Sequence, residues 1–148
     1  MTSTRQEIKK DLADINVFFD EWYSEVENIH TVLAESEDTK LNQIKALLNS
    51  KGVLEEREWA LWFKATEFGD TQDWVLIKRD VSRTYFLAVI AYHLDKYERG
   101  FDSIIIVWGA DHHGHVSRLK AALRSIGLDD SRFNVLLIHF VRLMREGK

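Results

Sequence analysis

Neither cysteine nor proline occurs anywhere in the 148 residues. Without cysteine there is no disulfide framework and no cysteine-bearing zinc site, and a chain of this length needs neither: it buries roughly 70% of the surface that its unfolded form exposes. The lack of proline is odder, since average usage of ~5% would give roughly seven. A basic excess is also missing. The formal charge is −4, so bulk electrostatics gives no reason to expect a nucleic-acid partner. No apolar run approaches the ~20 residues that span a bilayer. Met1-Thr2-Ser3-Thr4-Arg5-Gln6 has no apolar core of a signal peptide, so a cytoplasmic setting is the expectation.

What is present is a soluble globular composition, 45% hydrophobic and 30% charged, organised around residues 104–126. Ile104-Ile105-Ile106-Val107-Trp108 is a β-branched run that predicts a strand buried on both faces. Val116, Leu119, Leu123 and Ile126 then recur at helical spacing. The turn between them, Gly109-Ala110-Asp111-His112-His113-Gly114-His115, has glycines that let a ligand approach the backbone. Asp111 is placed to cap the helix or to bond a sugar hydroxyl. This is how the edge of a nucleotide site is built in open α/β sheets. Two other readings stay open: a polar helix start on a core strand, and a metal site made from the histidines, although their spacing matches no usual zinc pattern.

Trp108-Gly109-Ala110-Asp111-His112-His113-Gly114-His115, followed by Arg118-Leu119-Lys120-Ala121-Ala122-Leu123, resembles the signature of bacterial-type arginyl-tRNA synthetases, class I enzymes with a Rossmann-like catalytic domain. Ala60-Leu61-Trp62-Phe63-Lys64, Thr66-Glu67-Phe68-Gly69-Asp70, Val75-Leu76-Ile77-Lys78, Ala91-Tyr92-His93-Leu94-Asp95-Lys96 and Arg99-Gly100-Phe101-Asp102 follow in that family's order and spacing. Phe19-Asp20-Glu21-Trp22-Tyr23-Ser24-Glu25 resembles its segment before the insertion. The likeness runs from about Glu7 nearly to the end. It implies an α/β fold: the second half of a class I Rossmann-like domain with a small antiparallel β-rich insertion, all in one domain (1–148), with the insertion at 53–79 and the Rossmann half at 82–148. It implies ATP with magnesium as the cofactor, and Gly109, Asp111, His112 and His115 as the lining of the ATP and adenylate site. A tRNA partner rests on this resemblance and on nothing in the charge.

The same resemblance exposes departures. The tyrosine at Tyr85 would line the arginine pocket, and the position of Val89 carries, in the family, an aspartate that pairs with the substrate guanidinium. A planar cation with five donors needs a carboxylate there, and valine supplies none. Arginine binding should lose about 2 to 5 kcal/mol. Glycine is the family's usual residue where Trp59 and Val81 stand. Ser117, and a position at or near Arg83, stand where the family often has proline, so the absence of proline reads as replacement, compatible with a redesigned chain or an unusual lineage. No His-Ile-Gly-His and no Lys-Met-Ser-Lys occurs in the sequence; class I enzymes use both to hold the triphosphate and stabilise departing pyrophosphate. Three functions follow: part of an arginine–tRNA ligase that keeps some of the ATP pocket but does not catalyse activation alone, an engineered or repurposed non-catalytic scaffold, or a subunit that pairs with a chain bearing the missing motifs. Half a sheet leaves an open edge, so pairing with a second copy or a complementary fragment is expected.

For the remainder, Ile8 and Leu12 predict an amphipathic start over residues 7–13 and Ile15-Asn16-Val17-Phe18-Phe19 a strand, both packed in the core. Ser24 and Glu27 are spaced as a capping box. Leu41, Ile44, Leu47 and Leu48 predict a helix over residues 37–51, ended by Gly52. Residues 53–79 read as an antiparallel meander with a cluster of Trp59, Trp62 and Trp74. A helix over 82–97 places Phe86, Ile90, Leu94 and Tyr97 on one face and Tyr85 with Val89 on another. Residues 111–127 form the next helix, 133–140 a last buried strand, and 141–148 continue towards the point where the family presents its lysine-rich signature.

Overall fold

The computed structural model describes residues 4–30 and 39–141. The expected helix start at 37–38 and the C-terminal run at 142–148 lie outside the described residues. Among these residues the architecture is mixed α/β: four α-helices, a three-stranded antiparallel sheet and a two-stranded parallel one.

Helix α1, Thr4–Asp14, buries no residue, and Ile15–Phe19 is not a strand: Ile15, Phe18 and Phe19 are exposed and Asn16 turns the chain at φ 59°. Both core assignments there are corrected. One apolar residue per turn, Ile8 and Leu12, does not bury a helix whose contact with the chain beyond it runs through Arg5 and Lys9 to Trp22. Ser24 does accept from the Glu27 amide at 3.4 Å, but the turn that follows, Val26–His30, is π-helical. Helix α2, Lys40–Ser50, starts at Thr39, whose side chain accepts from the Asn42 amide at 3.2 Å. Its buried Leu41, Ile44 and Leu48 form one stripe, as the spacing predicts.

The meander is β1 (Leu54–Arg57), β2 (Ala60–Phe63) and β3 (Trp74–Ile77), in that order and antiparallel. Phe63 lies opposite both Leu54 and Trp74. The β1–β2 turn is two residues, Glu58 and Trp59, at φ 50° and 65°, with Arg57 paired to Ala60. Positive φ at both centres is the mark of the type I′ hairpin, which favours Asn-Gly. Trp59 therefore sits at a turn tip, 87% exposed, and the expected three-tryptophan cluster does not form. Val81 is likewise at φ 66° and 79% exposed, in a loop closed by the Lys78 amide donating to the Ser82 carbonyl at 2.8 Å. Both residues hold a backbone that glycine adopts freely.

Helix α3, Tyr85–Glu98, begins three residues later than predicted because Thr84 is still tied to the sheet, its amide donating to the Leu76 carbonyl and its hydroxyl to Val75. It packs between two clusters. One joins α2 and the meander through Ile44, Leu48, Phe63, Leu76, Leu87 and Ile90; the other holds Tyr97, Ile104, Leu119, Leu123 and Phe133. Val89 packs against both. Strand β4 (Ile104–Gly109), helix α4 (His115–Ser125) and strand β5 (Phe133–Ile138) make a parallel β-α-β unit, in register from Ile104 opposite Phe133 to Gly109 opposite Ile138. The expectation that β4 is buried on both faces, and that 133–140 is a buried strand, is corrected. Their burial alternates, and Ile105, Val107, Leu136 and Ile138 are exposed, because the second cluster gathers side chains from only one side of this strand pair.

Candidate functional site

Where α3, the meander and the β4–α4 turn converge they leave a cavity of about 580 Å³. The α3 wall is one helical stripe: Tyr85, Val89, Tyr92, His93 and Lys96, spaced i, i+4, i+7, i+8 and i+11. Trp62 and Trp74 close it from the meander, and Ile106, Trp108, His112, His115 and Arg118 from β4, the turn after it and α4. Tyr85 and Val89 on one side and His112 and His115 on the other thus open into the same space, although some 25 residues separate them in the chain.

Gly109 and Asp111 do not line this cavity. Asp111 does not cap α4 either, since that helix begins at His115 behind Gly114 with no side-chain bond to its end. Asp111 instead folds back over Gly109, where a β-carbon would overlap its carboxylate, and stands 3.7 Å from His112 Nε2. A side chain at Gly109 would displace only this exposed carboxylate. Trp108, His112 and His115 form an aromatic group, with ring centroids 5.7 Å apart for Trp108 and His112 and 5.0 Å for the two imidazoles. Partial burial, with the nearby Arg118 guanidinium and His112, lowers the His115 pKa. The two imidazoles and the indole offer flat surfaces, and the lowered pKa of His115 favours its neutral form, with one donor and one acceptor.

The electrostatics of the cavity are set by residues that the sequence did not single out as site residues. Lys96 is pushed down to about 8 by burial, then by Arg99, against the pull of Asp95. Its ammonium lies 4.0 Å from the Tyr92 ring centroid and is in no salt bridge among the described residues, Asp95 being paired with Lys40 and Arg99. Arg118 packs its guanidinium 3.2 Å from the Trp74 ring centroid, and its Nε, like Trp62 Nε1, is a buried donor with no acceptor. Asp73, the one carboxylate of the lining, is held from behind: Arg57 reaches it at 2.8 Å, and the Thr66 amide and hydroxyl donate at 3.1 and 2.8 Å. Burial opposes its ionisation, but these bonds keep its pKa below the usual range. His93 is 4% exposed. Its Nδ1 donates to the Val89 carbonyl at 2.8 Å, leaving Nε2 as a buried acceptor without a partner. The α3 stripe was readable from helical spacing; the tryptophans and Arg118 needed the tertiary structure.

No family model matches the chain. Individual proteins do. It is 44% identical over 142 residues to the arginine–tRNA ligase of Acinetobacter baylyi, covering 96% of this chain and 22% of that ligase. To the arginine–tRNA ligase of Anoxybacillus flavithermus it is 47% identical, covering 95% of the chain and 24% of the relative. A crystal structure from Campylobacter jejuni described as an arginyl-tRNA synthetase superposes with a TM-score of 0.83 at 33% identity, over 95% of this chain and 29% of that one. The arginyl-tRNA synthetase of Plasmodium falciparum, 13% identical with a TM-score of 0.72, shares the fold. The chain thus matches part of arginine–tRNA ligase and spans about a quarter of the length of the curated relatives.

Proposed function

We infer, from a chain that matches part of arginine–tRNA ligase, that the cavity is the nucleotide and aminoacyl-adenylate end of such an enzyme's site, kept in a segment that does not catalyse activation alone. One observation carries this reading: His112 and His115, implied for the nucleotide, open into the same cavity as Tyr85 and Val89, implied for the amino acid. The residues present suit the group. Trp108 and the two imidazoles offer surfaces for an adenine ring. Arg118 and Lys96 offer cations for phosphate. Asp111, outside the lining but 3.7 Å from His112 Nε2, offers a carboxylate for a ribose hydroxyl. The lining has no free carboxylate for a magnesium ion, which would enter with the triphosphate oxygens as its ligands.

At the amino-acid end Val89 provides no partner for a guanidinium, so arginine is a weak ligand here. The β4–α4–β5 unit serves as the Rossmann half, the meander as the insertion, and aminoacylation of tRNA would require the remaining three quarters of the enzyme. Titration with ATP and magnesium tests the reading. Saturable binding that weakens at least tenfold in His115→Ala and in Asp111→Ala is expected. Absence of ATP binding by a cooperatively folded chain, or equal affinity in both variants, would remove it.

A second reading, a subunit of a split enzyme, draws on the exposed Ile105, Val107, Leu136 and Ile138, since parallel sheets are normally covered on both faces. Mixing the chain with a fragment carrying the His-Ile-Gly-His half should then give arginine-dependent ATP–pyrophosphate exchange. No exchange at any ratio would count against it.

A further inference from the structure

Arginine recognition calls for a carboxylate in the pocket, and this cavity has the opposite balance. Its lining holds two cations, Lys96 and Arg118, neither in a salt bridge among the described residues, and a single carboxylate, Asp73, whose oxygens are already engaged by Arg57 and Thr66. Behind the wall, on residues of the lining, two donors (Trp62 Nε1 and Arg118 Nε) and one acceptor (His93 Nε2) are buried without a partner, so the unpaired atoms favour neither charge and the balance rests on the two cations. The walls around them are apolar or aromatic: Trp74, Phe86, Val89, Tyr92 and Ile106. A cationic guest would meet Lys96 and Arg118 against one lining carboxylate, Asp73, that is already engaged. An anion would gain both charges, in surroundings where low polarity strengthens each contact.

We propose that with valine at position 89 this cavity takes a small organic anion, a carboxylate or phosphate on an apolar or aromatic body, held by the charges of Lys96 and Arg118, and rejects a guanidinium or ammonium of the same size. The proposal rests on the reading of the cavity as a ligand site, and not on a nucleotide being its ligand. Specificity in this end of the pocket has changed sign, rather than merely weakened. The aromatic walls set the shape of the body, and the two lining cations set the charge of the head.

The test uses three probes of similar body: phenylacetate, phenyl phosphate and phenethylamine, each titrated into the full chain at pH 7 and followed by the indole N–H resonances of its five tryptophans. At least one anion should bind tenfold or more tighter than phenethylamine and move the Trp62 signal; which anion binds tighter tells carboxylate from phosphate. Lys96→Gln should lower anion affinity about tenfold, Arg118→Lys should lower it while leaving the fold intact, and Val89→Asp should shift preference towards phenethylamine. Phenethylamine binding as tightly as both anions, or anion affinity unchanged in both Lys96→Gln and Arg118→Lys, would overturn the proposal. ATP titrated in parallel separates the two claims: loss of ATP binding with anion preference intact defeats the nucleotide reading alone.

Discussion

Acid should destabilise this fold before its carboxylates titrate, and the cause is one imidazole. His93 is buried between the Tyr92 and Phe133 rings, with centroids 5.6 and 5.4 Å away, and Lys96 stands one turn further along α3. Burial, then the Lys96 charge, lowers its pKa from the ordinary 6.5 to about 4, the hydrogen bond to Val89 only partly opposing them. In the unfolded chain the imidazole takes its proton near pH 6.5; in the folded chain it stays neutral down to about 4. Between those values the unfolded state binds more protons, so stability falls as pH falls through the window and is level above it. Each unit contributes about 1.36 kcal/mol, giving about 2 kcal/mol between pH 6.5 and 5. The assay is urea denaturation at pH 7, 6 and 5 on the wild type and on His93→Gln, whose difference cancels the other titrating groups. The wild type should lose about 2 kcal/mol more than the variant over that range. Equal losses in the two proteins would refute the assignment of His93 as a neutral core residue.

Four other outcomes follow from the packing and the turns. Trp59→Gly and Val81→Gly should each raise stability by up to about 1 kcal/mol, since each removes a left-handed strain of about 1–2 kcal/mol against a smaller entropic cost of glycine; a lower melting temperature in either would contradict the turn geometry. Leu48→Ala, at a fully buried position on α2, should cost about 2–5 kcal/mol in chemical denaturation. A loss below 1 kcal/mol would mean that α2 is not part of the core. Val89→Asp should bring arginine binding into the measurable range while lowering stability, because Val89 packs against both clusters. No gain would show that the pocket lacks more than one carboxylate. Placing Glu or Lys at Ile105 and Val107, both more than 60% exposed, should change stability by less than about 0.5 kcal/mol in a solitary chain and should abolish any self-association.

The sequence announced its elements wherever apolar spacing and neighbours agreed. The α2 stripe of Leu41, Ile44 and Leu48, the pairing of residues 60–63 with 74–77, and the β4–turn–α4 succession are all as read. It misled where a pattern had no partner to bury it. Ile15–Phe19 looks like a strand but lies exposed, and the run at 104–108 looks doubly buried although its odd-numbered face is bare. Local pattern records what a segment can bury and says nothing of whether a covering layer is there. The family likeness located Tyr85, Val89, His112 and His115, and the structure gathers them around one space. The tertiary fold was needed for Arg118 against Trp74 and for the engaged state of Asp73, which depends on Arg57 and Thr66 from other elements. The departures at Trp59 and Val81 were visible as residues, but only the φ values of 65° and 66° show that the backbone kept a glycine's conformation after the side chain changed.

The most direct test of the central claim is to follow the ring resonances of the six histidines while ATP and magnesium are added. The account predicts that His112 and His115 shift together and saturate at one affinity, that His93 responds through the cavity wall, and that His30 and His139 stay still. Shifts confined to His30 or His139, or no shift in a folded chain, would mean that the cavity between α3 and the β4–α4 turn does not receive a nucleotide.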